Sequence, residues 1–177
     1  MNLSSQQRAA IKADIISKSA PGGPLEALLA GGDYDGIAAW YMQTASPAWW
    51  VWRTNVTRAE IYHRTSHTGS TWNWTTYKNQ SQGEQGAWVQ MFMGDQADFS
   101  LANLRSGVDA IFSGTGAQAT QRGHILAIGR RQARRLEQLL AVPEQNSGTT
   151  AIPATMTYDQ TRDGDLDGAT VFVIMRE

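Results

Sequence analysis

All seven tryptophans of the 177-residue chain lie between Trp40 and Trp88, among turn residues and short polar stretches. Rings of that size crowd one third of a small protein for contact area, within one subunit or between subunits. No acid, base or nucleophile set with catalytic spacing accompanies them. The chain therefore reads as a packing and binding module.

The length suits one domain, or one domain with an appended arm. A hydrophobic content of 41% and a charged content of 18% place the chain among globular proteins. A formal net charge of −1 gives no reason to expect nucleic-acid binding driven by bulk electrostatics. Cysteine is absent, which excludes disulfides and thiolate metal sites. The opening Met1–Arg8 has no apolar stretch of signal-peptide length behind it. No apolar run approaches the roughly 20 residues a membrane span needs. The expectation is a soluble, cytoplasmically made protein with no membrane association.

Capping residues divide the first half into helices. Ser4 with Gln7 forms a capping box opening a helix to about Lys18, with Ile11 and Ile15 on one face. Pro24 suits the first position of a short helix carrying Leu25, Leu28 and Leu29, which Gly31 and Gly32 end. Asp33 or Asp35 caps a third, with Ile37, Trp40 and Tyr41 at helical spacing. The grammar then changes. Pro47 forces an extended entry, and Trp49-Trp50-Val51-Trp52 is a β-prone run. Thr57 with Glu60 is a second capping box, and Thr65–Ser70 is a loop or hairpin tip leading to Trp72 and Trp74.

Ser81 with Glu84 is a third box, for a helix presenting Trp88, Met91 and Phe92. Ser100 is expected to cap the next, whose stripe is Leu101, Leu104, Val108, Ile111 and Phe112. The spacing of Ile125, Ile128, Leu136, Leu139 and Leu140 predicts one long helix from about Ala117 to Ala141, with Pro143 beyond it. Glu144–Thr150 is linker-like, and Thr155–Tyr158 and Ala169–Met175 read as strands. The expected fold is mainly α: a helical-bundle body over residues 1–143, with a Trp-rich extended or β insert at about 46–74. A linker and C-terminal β-strand arm occupy residues 144–177.

Each candidate site competes with a plainer reading. Asp163-Gly164-Asp165-Leu166-Asp167-Gly168 matches half of a calcium loop, but the twelfth position, where a glutamate is needed, is Ile174. A polar turn between strands is the better reading, and no metal is expected. His63 and His67 have the four-residue spacing of a helical metal pair, yet Thr65, Ser66 and Gly69 disfavour a helix there. His124 stands apart from both, and no cofactor is implied.

Arg130, Arg131, Arg134 and Arg135 are the one concentrated positive charge. On a helix their i, i+4 pairs share a flank: a solvated face by default, or else a binding face for phosphate or for a neighbour's acidic patch, at a charged interface or channel wall. Alternation in Trp49, Trp50 and Trp52 cannot bury both faces of a strand unless something covers each, and a neighbouring subunit is a natural cover. The uniformly apolar Val171-Phe172-Val173-Ile174 either fills a groove of its own subunit or adds to a neighbour's sheet edge; docking on a partner is favoured.

Several stretches carry a family resemblance. They are Ser46–Trp49, Val51–Val56, Trp72-Asn73-Trp74-Thr75, Ala87-Trp88 with Met91-Phe92, Ser100–Gly107 with Ile111–Gly114, Arg130–Leu136, Ser147–Ala151 and Pro153–Tyr158. Together they resemble a family of small tailed-bacteriophage virion proteins, from about Ile37 to Tyr158; Asp163–Glu177 departs from its pattern. A helical body with a trailing arm also looks like head–tail adaptor (connector, neck) proteins.

The resemblance implies a non-enzymatic structural protein of the virion neck, assembled in the host cytoplasm. It would form a homo-oligomeric ring of twelve copies between the portal protein and the next tail component, with the arm docking on a neighbour. Genomic DNA would pass through the lumen without sequence-specific contact. A tail-completion or terminator protein is the nearest alternative. The opposing class is a ligand- or carbohydrate-binding module using Trp72, Trp74 and the histidine pair around a pocket.

Overall fold

The computed structural model describes residues 3–142, 155–156 and 163–177. They are mainly helical, with three small two-stranded sheets. The linker expected over Glu144–Thr150, with Pro143 and Pro153, lies outside the described residues, as do Thr157 and Tyr158.

Side-chain caps set most helix starts. Helix α1 (Ser5–Lys18) carries the Ser4–Gln7 box, with the Ser4 amide donating to Gln7 Oε1 at 2.8 Å. Helix α2 (Glu26–Ala30) starts after Leu25, so Pro24 lies outside it. Asp33 caps α3 (Tyr34–Met42) by accepting from the Gly36 amide. Strands β1 (Trp50–Trp52) and β2 (Val56–Thr57) lead to α4 (Arg58–His63), opened by the Thr57–Glu60 box.

Asn73 caps α5 (Trp74–Lys78), so the segment after the Thr65–Ser70 loop turns helical and not into a hairpin. The Ser81–Glu84 box opens α6 (Gln82–Gln90). Strand β3 (Gln96–Ala97) pairs antiparallel with β2, Val56 opposite Ala97. Ser100 does not cap α7 (Ala102–Ile111): its hydroxyl donates to Asp98, and Leu101 takes the cap position.

The single long helix expected from Ala117 to Ala141 is three elements: α8 (Ala117–Ile128), strand β4 (Arg130–Gln132) and α9 (Arg135–Leu140). Two causes are visible. Gly129 closes α8 against the Phe99 ring, which would lie 2.5 Å from a Cβ placed there. The amides that a continuing helix would need are taken elsewhere. The Ala133 N–H donates to Trp49 O at 2.8 Å and the Arg135 N–H to Gln43 O at 2.9 Å. Strand β4 pairs with β1.

Strand β5 (Ala141–Val142) pairs antiparallel with β6 (Thr155–Met156), matching the start of the strand expected at Thr155. The last segment corrects the expectation: Gly168–Arg176 is a helix, α10, and not a strand. Asp167, read as part of a turn between strands, caps it by accepting from the Thr170 amide at 2.7 Å. Val171 and Ile174, three apart, are buried, whereas Val173 is 49% exposed. Packing on a helical face overrides the strand propensity of Val-Phe-Val-Ile.

The chain divides into two compact units, residues 1–49 with 132–177 and residues 50–131. In the first unit α10 packs on α1 and α3, and α9 packs on the same two helices. Its core is Ile11, Ile15, Leu25, Ile37, Tyr41, Leu136, Val171 and Ile174. In the second unit the core is built of rings. Trp88, fully buried, stacks on Trp72 at 5.3 Å and meets Phe92 and Phe112 at 5.0 and 5.8 Å.

Candidate functional site

The sequence-derived candidates separate into distinct environments. Val171 and Ile174 belong to the first unit's core. Phe172 meets the Tyr34 ring edge-on at 5.3 Å and carries the Arg176 guanidinium at 4.1 Å. The apolar segment therefore packs within its own unit, and as a helix it offers no strand to add to a neighbour's sheet edge. Trp49 is half-buried, its carbonyl engaged by Ala133.

The four arginines do not share a helix flank. Arg134 precedes α9; its amide donates to the buried Glu137 carboxylate and its Nη1 donates to Met42 O at 2.8 Å. Arg135 lies 4.0 Å from the Trp40 ring centroid, with Lys18 at 5.7 Å from the same ring. Both arginines thus help close the first unit. Arg130 and Arg131 belong to the second unit, on β4.

There a cationic and aromatic pocket forms. Trp50 and Trp52, two apart on β1, present their rings to Arg130, 5.9 and 5.7 Å from the two centroids. Trp52 is buried, with Arg105 4.7 Å from its ring, so its own unit supplies the cover expected of a neighbour. Trp50 is half-buried, and His67 stacks on it at 4.2 Å and 24°. Trp50, His67, Arg53, Arg64, Arg130 and Arg131 line a cavity of about 530 Å³. No acidic side chain among the described residues lines it.

Glu60 holds two of these arginines in place. Arg53 Nη2 donates to both Glu60 oxygens at 2.9 and 3.1 Å, and Arg64 Nη1 lies 2.9 Å from Oε1. Burial alone would push the Glu60 carboxyl up. The Thr57 amide and the Arg53 guanidinium outweigh it and hold the group below its ordinary value. Burial pulls the Arg130 guanidinium down, and its Nε is sealed from solvent without a hydrogen-bond partner. Sequence reasoning missed Arg53 and Arg64 here. The available signal was their placement on either side of the Thr57–Glu60 box.

A second cavity, of about 550 Å³, is lined by Gly69–Trp74 with Ala117, Thr120 and Gln121. Trp74 is half exposed over it. Trp72 Nε1 and Gln121 Nε2 are unpartnered, but both atoms are sealed from solvent and out of a ligand's reach. His63 and His67 serve separate ends: His63 closes α4, and His67 packs on Trp50. The buried His124 ties three segments, its ring nitrogens 3.0 Å from Ser70 O and 2.7 Å from Ile61 O. Among the described residues no three His, Asp or Glu side chains gather as metal ligands would. None of the described helices is long and apolar enough to cross a membrane.

No family model, curated protein or solved structure matches this chain.

Proposed function

We propose that the protein is a non-enzymatic building block of a tailed-phage virion. It is a head–tail adaptor type of subunit, associating with copies of itself as a ring of twelve between the portal and the tail, around the path of the genome. One observation on the molecule carries this reading beyond the resemblance over Ile37–Tyr158. Val89 near the end of α6 and Met93 in the turn beyond it are 45% and 81% exposed, and Leu101, half exposed, precedes α7, which packs on α6. Large apolar side chains left in water on adjoining elements favour association with another protein surface. The C-terminal segment, a helix packed into the first unit's core, is not the arm of this assembly.

The experiment is to mix the purified chain with a tailed-phage portal and image the product by electron microscopy. Closed rings support the proposal. Val89→Ser with Met93→Ser should abolish them while shifting the melting temperature little, because Met93 is largely exposed and Val89 nearly half exposed. A chain that stays monomeric with the portal present, or rings indifferent to both substitutions, overturns it.

The half-exposed Trp74 beside the polar cavity favours a second reading, a carbohydrate-binding module. Titration with neutral oligosaccharides, following loss of binding in Trp74→Ala, decides it.

A further inference from the structure

The pocket between β1, the loop after α4 and β4 gathers four guanidinium groups, those of Arg53, Arg64, Arg130 and Arg131. Arg53 and Arg64 converge on one carboxylate, Glu60, which lies behind them and does not line the cavity. Arg130 has no ion pair among the described residues; its visible partners are the faces of Trp50 and Trp52. Arg131, the next residue, lines the same cavity. Like charges gathered in one concavity repel each other, and partial burial makes that repulsion harder for water to screen. An anion seated between them reverses the sign of the interaction.

Two features narrow the anion. Guanidinium forks match the paired oxygens of phosphate or carboxylate, and several of them around one site favour the more highly charged phosphoryl group. The Trp50–His67 pair adds a flat platform, with the exposed His67 outermost. Flat π surfaces beside arginines are how proteins hold nucleobases without reading their edges. A cavity of about 530 Å³ falls in the size range of small-ligand sites.

We propose that Arg53, Arg64, Arg130 and Arg131, with Trp50 and His67, form a binding site for a nucleoside phosphate, with the phosphoryl group on the arginines and the base against the aromatic pair. The ligand is either a free nucleotide or one residue of a single strand, which share this chemistry. The site lies within residues 50–131 and needs no second copy, so its failure and the failure of the ring proposal are separate results.

The test is titration calorimetry of the full chain at low salt with adenosine 5′-monophosphate, a thymidylate hexamer, inorganic phosphate, adenosine and a hexaglutamate peptide. The monophosphate or the hexamer should bind, inorganic phosphate more weakly, and adenosine not detectably. Equal affinity for monophosphate and hexamer identifies the free nucleotide as ligand. A tighter hexamer whose affinity falls steeply with salt identifies the strand. Arg130→Gln should reduce affinity about tenfold or more, the loss of a charge-assisted contact.

Arg64→Gln, at a side chain 62% exposed and therefore harmless to folding, should give a similar loss. Trp50→Ala should bring the monophosphate down to the level of inorganic phosphate. No binding of either nucleotide ligand overturns the proposal, as does binding unchanged in Arg64→Gln or a preference for hexaglutamate.

Discussion

The two units are filled by different materials. Residues 1–49 with 132–177 bury isoleucine, leucine and valine from helices far apart in sequence, with Tyr41 the one large ring fully enclosed among the described residues. Residues 50–131 form a single stretch of chain that holds five of the seven tryptophans and buries Trp52, Trp72 and Trp88 with three phenylalanines. Element length accounts for part of the contrast, because the second unit also has α6, α7 and α8 of 9, 10 and 12 residues and the first also has α2 and α9 of 5 and 6. Helices of nine to fourteen residues, such as α1, α3 and α10, offer whole faces on which methyl groups suffice. Strands of two or three residues and helices of five or six, such as β1, β2, α4 and α5, offer little area each. An aromatic ring adds roughly 150–250 Å² from one position, so few residues close such a core.

The largest effect should come from the ring core. Trp88→Ala removes a fully buried side chain touching Trp72, Phe92 and Phe112, and leaves the Tyr62 hydroxyl without the indole N–H that donates to it at 3.0 Å. Urea unfolding should show a loss of about 3–5 kcal/mol. A loss under about 1 kcal/mol would mean that this unit's rings repack and that the contrast with the aliphatic unit is overstated. In the first unit Ile174→Ala should cost about 2–4 kcal/mol, whereas Val173→Ala should stay within about 0.5. Equal losses at Val171 and Val173 would restore a strand's alternation and remove α10. Next in size is Gly129→Ala, which drives a methyl group into Phe99 and should cost about 1–3 kcal/mol.

What the sequence made legible follows the range of the forces involved. The boxes at Ser4, Thr57 and Ser81 each involve residues three apart, and all three formed as read. The mainly helical class followed from the same local signals. The segment Ala169–Met175 was misread because its propensity is that of a strand, while its partners on α3 lie more than 120 residues away. The break at Gly129 has the same origin, since it depends on Phe99 and on the carbonyls of Gln43 and Trp49. In the pocket, the sequence alone points to Trp50 as a subunit seam and to Arg130 and Arg131 as part of a helix flank with phosphate among its candidate partners. What was invisible is the pairing of β1 with β4, which brings them together.

One shifted group in each unit, Glu60 in the second and Tyr41 in the first, should tie stability to opposite ends of the pH scale, by smaller amounts. In the second unit Glu60 is held below its ordinary value by Thr57 and Arg53 against the pull of burial. A depressed carboxyl contributes stability above its unfolded pKa and loses it as pH falls through the folded one. In the first unit burial, and then the Asp14 carboxylate that accepts from its hydroxyl at 2.6 Å, push the Tyr41 phenol above its ordinary value of 10.0. That contribution is intact below the unfolded pKa and is lost as pH rises toward the folded one. Urea midpoints measured from about pH 3 to about pH 11 should therefore fall on both sides. Glu60→Gln should lower stability near neutrality by about 1 kcal/mol and flatten only the acid limb. Tyr41→Phe, of similar size, should flatten only the alkaline limb. If either substitution moves the other limb, the groups holding the two units are coupled, and the pH response cannot be divided between an aliphatic unit and an aromatic one.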